Sequence, residues 1–144
     1  LTAFLLDVNV LIALIDPTHV QHDLAHTWFA REGSVSWATC PLTENGVLRV
    51  VGHPRYPNSP GAPSAVMPLM KRLRALPGHT FWPDDISMVD DARVDGARLL
   101  GSGQVTDSYL LALACAKGGQ LASFDRRLIV GAVRGGNQGL LLIE

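Results

Sequence analysis

Short apolar runs alternate with helix-period segments along the whole chain, and that alternation leaves few folds open. Ala3–Val8 is an apolar run ending in Asp7-Val8-Asn9, with the length of a buried strand. Val10–Ile15 continues as a short helix, with Asn9 as its expected cap, until Asp16-Pro17 stops it. His19–Arg31 carries Val20, Leu24, Ala25, Trp28 and Phe29 on one side at the 3.6-residue period, and Gly33 closes it. Val35–Ala38 predicts the next strand. Thr39 is the expected cap of the helix that follows, and Pro41 sits in its first turn, where a missing N–H costs nothing.

Gly52–Pro63 holds four prolines and two glycines and predicts a long loop, a length that often signals function. Ser64–Leu76 predicts a helix with Pro68 in its first turn, and Thr80–Trp82 a strand. Val89–Leu100 predicts a helix ended by Gly101-Ser102-Gly103. Thr106 is the expected cap of a Leu- and Ala-rich helix through Lys117. Gln120–Phe124 and Leu140–Ile143 are the last strands. The order implies one α/β domain over residues 1–144, a three-layer sandwich with a mainly parallel sheet between helices.

Bulk properties narrow the function. The opening apolar run has Asp7 in its middle and no basic segment before it, so it reads as a strand entering a helix and not as a signal peptide. No apolar stretch approaches the roughly 20 residues that cross a bilayer. Two cysteines, Cys40 and Cys115, make no disulfide framework, and the cytoplasm is the expected compartment. The net charge of −1 hides a division. From Asn45 to Pro83 there is no acid, while Arg49, Arg55, Lys71, Arg72 and Arg74 are all positive. From Asp84 to Asp107 six acids face only Arg93 and Arg98. A basic wall beside an acidic pocket would suit a nucleic acid, with those five cations as phosphate contacts.

Four acids carry the chemistry. Asp7 ends the first strand, Glu44 lies in the first turns after the second, Asp107 starts a helix, and Asp125 follows a late strand. In an open parallel sheet the carboxyl ends of the strands form the edge where ligands bind. Singly, each acid could be a turn residue or complement a helix dipole. Asp7 is harder to dismiss, because an aspartate inside an apolar run is rare unless it is paired or binds metal. Two carboxylates about 4 Å apart repel by roughly 4 kcal/mol at an effective dielectric near 20. A cluster must therefore take up protons or a cation. All-oxygen donors suit Mg²⁺ or Mn²⁺, whose chemistry on phosphate oxygens is in-line displacement.

The residues that do this resemble a known family. Phe4-Leu5-Leu6-Asp7-Val8-Asn9, Leu42-Thr43-Glu44-Asn45-Gly46, Val105-Thr106-Asp107-Ser108 with its Leu/Ala continuation, and Ala122-Ser123-Phe124-Asp125 are similar, in order and spacing, to the PIN domain. More narrowly they resemble VapC-type ribonuclease toxins of toxin–antitoxin operons. The resemblance implies a PIN-like sandwich and Mg²⁺- or Mn²⁺-dependent cleavage of transfer or ribosomal RNA. It further implies a homodimer and a cognate antitoxin with a tail in the acidic pocket. Asp7, Glu44, Asp107 and Asp125 take the metal-binding positions, with Asn9 and Thr106 as polar support.

Other readings compete. An apolar strand ending in Asp-x-Asp would suggest a haloacid-dehalogenase-like phosphatase, but Asn9 stands where the second acid donates a proton. A non-catalytic module on the same fold is a further alternative, weakened by the presence of all four acids. His22-Asp23-Leu24-Ala25-His26 has zinc-protease spacing, but the histidines fall on the helix face expected to meet solvent.

Overall fold

The structure, a computed structural model, describes residues 2–144; Leu1, first in the opening apolar run, lies outside the described residues. Five strands form one sheet: β1 (Phe4–Leu6), β2 (Trp37–Thr39), β3 (His79–Phe81), β4 (Gln120–Ser123) and β5 (Leu140–Leu142). Their order is β3-β2-β1-β4-β5, and each pairing is parallel. The chain starts at the centre, moves outward through β2 and β3, then crosses to β4 and β5. The direction of travel reverses between β1 and β4, and such a switch point opens a crevice at the carboxyl ends of the strands.

Alternation along β1 builds both halves of the core. Successive strand residues point to opposite faces, so Leu5 and Leu6, both fully buried, enter different clusters. Leu6 packs with residues of α1 (Val8–Ile15), α2 (His22–Arg31), α3 (Pro41–Val51) and α4 (Pro63–Arg74), among them Leu11, Trp28, Val47 and Val66. Leu5 packs with Leu110, Leu111 and Leu113 of α5 (Val105–Ala116). The short α6 (Gly136–Gly139) lies on this second side, close enough that a methyl group on Gly139 would clash with Cys115 Sγ.

Several boundaries differ from the sequence expectation, each because a side chain captures a backbone group. The cap of α1 is Asp7 rather than Asn9: its Oδ1 accepts from Val8 N at 2.8 Å. Helix α2 starts at His22, and Val20 is 95% exposed, because Asp16 draws Thr18 N into a turn. Thr39 closes β2, and the junction with α3 is made by Cys40 N donating to Thr43 Oγ1 at 3.0 Å. Pro68 lies inside α4, on an exposed face.

The helix expected over Val89–Leu100 does not form. Asp90 and Asp95 accept from Ala92 N and Ala97 N, and these local bonds replace the helical ladder. Only a 3-10 turn at Gly96–Arg98 and a bridge from Val94 to Val133 remain. Thr106 is the second residue of α5 and not its cap, since Gln104 Oε1 gathers Leu100 N and Gly101 N just before it.

Candidate active site

Asp7 stands at the switch point, between the ends of β1 and β4. It is 8% exposed, and its two oxygens face different donors: Oδ1 takes Val8 N, and Oδ2 takes Ser123 Oγ at 2.8 Å. The Ser123 hydroxyl also accepts from Asp125 N at 3.1 Å. One buried side chain at the end of β4 therefore fixes Asp7 directly and Asp125 through its backbone. Asp125 Oδ1 in turn accepts from Arg127 N at 2.8 Å.

The electrostatics bring a third acid into this group. Burial pushes the Asp7 carboxyl above its ordinary value, the Ser123 and Val8 donors oppose that, and the Asp125 charge adds to it. Asp107, half-buried in the first turn of α5, is raised first by burial and then by the charges of Asp7 and Asp125. Ser123 ties Asp7 to Asp125, and Asp125 lines one cleft with Asp107, so these three carboxyls share one neighbourhood.

Glu44 is positioned by another set of groups. It lies in the first turn of α3, where Oε2 accepts from Thr39 Oγ1 at 2.6 Å and faces Arg74 Nη1 at 3.3 Å. Thr39 spends its proton on Glu44, so its oxygen accepts from His79 Nε2, 2.8 Å away. Burial lowers the His79 imidazole, Arg74 adds to that, and Glu44 opposes it. Asn9 and Thr106 are exposed, and the bonds that fix the acids come from Ser123, Val8, Thr39 and Arg74.

Beside Asp107 and Asp125 opens a cleft of about 540 Å³, walled by Leu100, Ile129 and Arg127. Leu100 is 87% exposed. Neither Arg127 nor Ser123 was among the residues singled out from sequence. Ser123 carried a readable signal, since it lies two residues before Asp125 on a strand whose period is two.

The donor set suits a hard divalent ion in kind: carboxylate oxygens only, two of the three pushed toward protonation by burial first and by neighbouring carboxylates after it. Among the described residues no group of three Asp, Glu, His or Cys side chains closes round a single ion position. Mg²⁺ does not require one, because it usually keeps several waters and takes one or two carboxylates together with substrate phosphate. The residues therefore fit such an ion held partly by water.

The structure divides the five cations of the acid-free stretch. Arg74 lies against Glu44 and, with Lys71 and Arg72, occupies the last turn of α4. Arg49 is in the last turn of α3. Arg55 lies on the proline-rich loop, beside Tyr56, whose hydroxyl bonds Asp16 at the end of α1 opposite to Asp7. Asn58 Nδ2 and Thr18 also donate to Asp16, so the loop is strapped to that end. Eight helical residues put it about 12 Å along the axis from Asp7.

His22 and His26 have a role other than meeting solvent. His22 Nδ1 and His26 Nε2 lie 2.7 and 2.9 Å from the Ala13 and Leu14 carbonyl oxygens, at the helix end whose carbonyls lack internal partners. Asp84 has a comparable role: it accepts from Leu42 N at the start of α3 and from Tyr109 Oη of α5.

Comparison with known proteins gives a consistent result. No family model matches the chain. It is 43% identical over 131 residues to ribonuclease VapC44 of Mycobacterium tuberculosis, covering 91% of this chain and 92% of that protein. Ribonuclease VapC38 of the same organism is 44% identical over 122 residues, covering 84% of each. Among solved structures, Mycobacterium tuberculosis VapC20, described as a sarcin–ricin loop cleaving toxin, superposes with a TM-score of 0.63. It is 12% identical, with 87% of this chain and 92% of the other covered, a likeness of fold alone. VapBC2 of Rickettsia felis, bound to a promoter DNA fragment, gives a TM-score of 0.51 at 8% identity, covering 86% and 89%.

Proposed function

The chain belongs to the VapC family of PIN-domain ribonuclease toxins, and on that footing we propose that Asp7, Glu44, Asp107 and Asp125 form its metal-dependent active site. The observation that carries the reading is Ser123 joining Asp7 to Asp125 at the sheet's switch point, with Asp107 and Asp125 lining one cleft beside it. Family membership sets the phosphatase and the non-catalytic module aside.

Asp7 would supply one ligand. Ser123 and Val8 donate to it and oppose the upward push of burial, so its remaining lone pairs are aimed without rearrangement. Asp107 and Asp125 would share the charge of the ion, and Glu44 would complete the set from α3. Mg²⁺ or Mn²⁺, when bound, would activate a water and stabilise the oxygen that leaves phosphorus. Arg74 pairs with Glu44 and offers a guanidinium to a phosphate beside it. Lys71 and Arg72, exposed in the same turn, extend that cation along a strand of RNA, with Arg49 and Arg55 as outlying contacts.

The substrate is RNA, with transfer RNA or a ribosomal loop as the class to test first. VapC20 is described as cutting the sarcin–ricin loop, and an equivalent exposed loop suits an open acidic edge. Residues 1–144 act as one catalytic domain in the cytoplasm, as a homodimer restrained by a cognate antitoxin whose tail enters the acidic pocket. Among the described residues no helix is long and apolar enough to cross a membrane. The test is cleavage of total RNA by purified protein in Mg²⁺ or Mn²⁺ against EDTA, with mapping of new 5′ ends. Discrete, metal-dependent ends support the proposal; intact RNA under every divalent ion would refute it.

A further inference from the structure

On one face of β2 and β3, a row of side chains runs outward from the sheet's middle to its rim. Trp37 and Thr39 stand opposite His79 and Phe81 in register, and residues two apart along a strand share a face. The inner end is closed: Trp37 is fully buried, with the His79 ring 4.7 Å away. The middle is the Thr39 hydroxyl, bonded to His79 and Glu44. The outer end is Phe81, 41% exposed on an edge strand. The Arg74 guanidinium carbon lies 5.1 Å from the Phe81 ring centroid while the same group pairs with Glu44. One cation thus joins an exposed aromatic ring to an acid assigned to the active site.

We infer that Phe81 and Arg74 form a stacking platform for an unpaired RNA base on the Glu44 side of the cleavage site. The inference rests on the ribonuclease reading and adds a nucleotide subsite to it. Proteins read single-stranded RNA by stacking splayed bases on aromatic rings and arginine planes. Phe81 and Arg74 supply one of each, already in contact. The guanidinium is kept in place from one side by Glu44 and from the other by the ring, so little freedom is lost when a base lies on it. Lys71 and Arg72, in the same helical turn as Arg74, lie exposed where a flanking backbone would pass. Stacking of this kind tolerates any base, because each has a π-face. The platform therefore fixes the path of the strand more than its sequence.

The test uses the full chain in EDTA, so that binding is read without cleavage. Short single-stranded RNA of about a dozen nucleotides, within known site sizes, carries the fluorescent base 2-aminopurine at successive positions. Stacking quenches the probe at one position in the wild type. Phe81→Ala and Phe81→Leu abolish that quenching and weaken binding roughly five- to hundred-fold, while Phe81→Trp retains both. The leucine variant keeps apolar bulk and loses only the ring, so its failure cannot be assigned to misfolding. Binding and quenching unchanged in both non-aromatic variants would overturn the platform, even with RNA cleavage by the wild type intact. Position-specific quenching lost in those variants, in a protein that cuts no RNA under any divalent ion, would keep the platform and remove the ribonuclease reading instead.

Discussion

Replacing Ser123 with alanine removes one oxygen and tests how the acids are held. The hydroxyl is 1% exposed, donates to Asp7 Oδ2 at 2.8 Å and accepts from Asp125 N at 3.1 Å. A hydrogen bond to a charged group contributes about 1.5–3 kcal/mol, and a buried acceptor left without its donor costs a similar amount. Asp125 is exposed, so water replaces its lost acceptor at little cost. The expected loss at neutral pH is therefore about 1.5–3 kcal/mol.

The loss depends on pH in a defined direction. Burial already raises Asp7 above its ordinary 3.8, and Ser123 is the largest influence opposing that rise. Without it the folded-state value climbs further. A carboxyl raised on folding contributes stability that is complete below the unfolded value and lost as pH rises through the folded one. The gap between wild type and Ser123→Ala thus widens from acid to neutral pH. At about pH 3 the acid is mostly neutral and the gap shrinks toward a neutral hydrogen bond, about 0.5–1.5 kcal/mol. Urea unfolding reads this directly. With a slope of about 1–3 kcal/mol per molar, the neutral-pH midpoint falls by roughly 1 M. An equal midpoint shift at both pH values, or none at neutral pH, would refute the assignment of Ser123 as the group that opposes the upward push of burial on Asp7.

Asp7→Asn should abolish RNA cleavage while far-UV circular dichroism and the cooperative unfolding transition persist, because it relieves repulsion from Asp125 and Asp107; residual wild-type cleavage would count against the site. Burial works against ionisation of Asp16, but Tyr56, Asn58 and Thr18 donate to it and lower its carboxyl to about 2. A depressed carboxyl stabilises above its unfolded value and is lost as pH falls through the folded one. Asp16→Ala should therefore cost about 2 kcal/mol at neutral pH, a cost that fades between about pH 4 and pH 2. Neutralising Lys71, Arg72 and Arg74 together should flatten the salt dependence of RNA binding by about 2 log–log units, at about 0.7 per contact. Arg55→Gln, at the far end of α1, should change that slope less; the reverse order would place the RNA path on the loop side.

The sheet was legible in sequence, and the acids proposed for the site conspicuous there, for one physical reason. A strand buried on both faces has to be an uninterrupted apolar run, so Leu5-Leu6 and Leu121-Ala122 announce themselves, and Asp7 is conspicuous by contrast. Boundaries were less legible wherever a polar side chain could bond its own backbone. Asp90 and Asp95 look like surface residues of a periodic segment, yet in the structure they end the periodicity they seemed to decorate. The histidines of α2 had helical spacing but no sign of the carbonyls they meet, because α1 approaches from elsewhere in the chain. Phe81 and Arg74 were each visible; their contact is a matter of sheet register across a helix.

Because β1 is the middle strand, paired on both sides, the carboxylate at its tip hangs from the least deformable part of the protein. Phe81 belongs to an outermost strand with one neighbour only. Substitution at the rim would thus shift where a strand lies, on the platform proposed above, without loosening the hub that holds the Asp7 carboxylate.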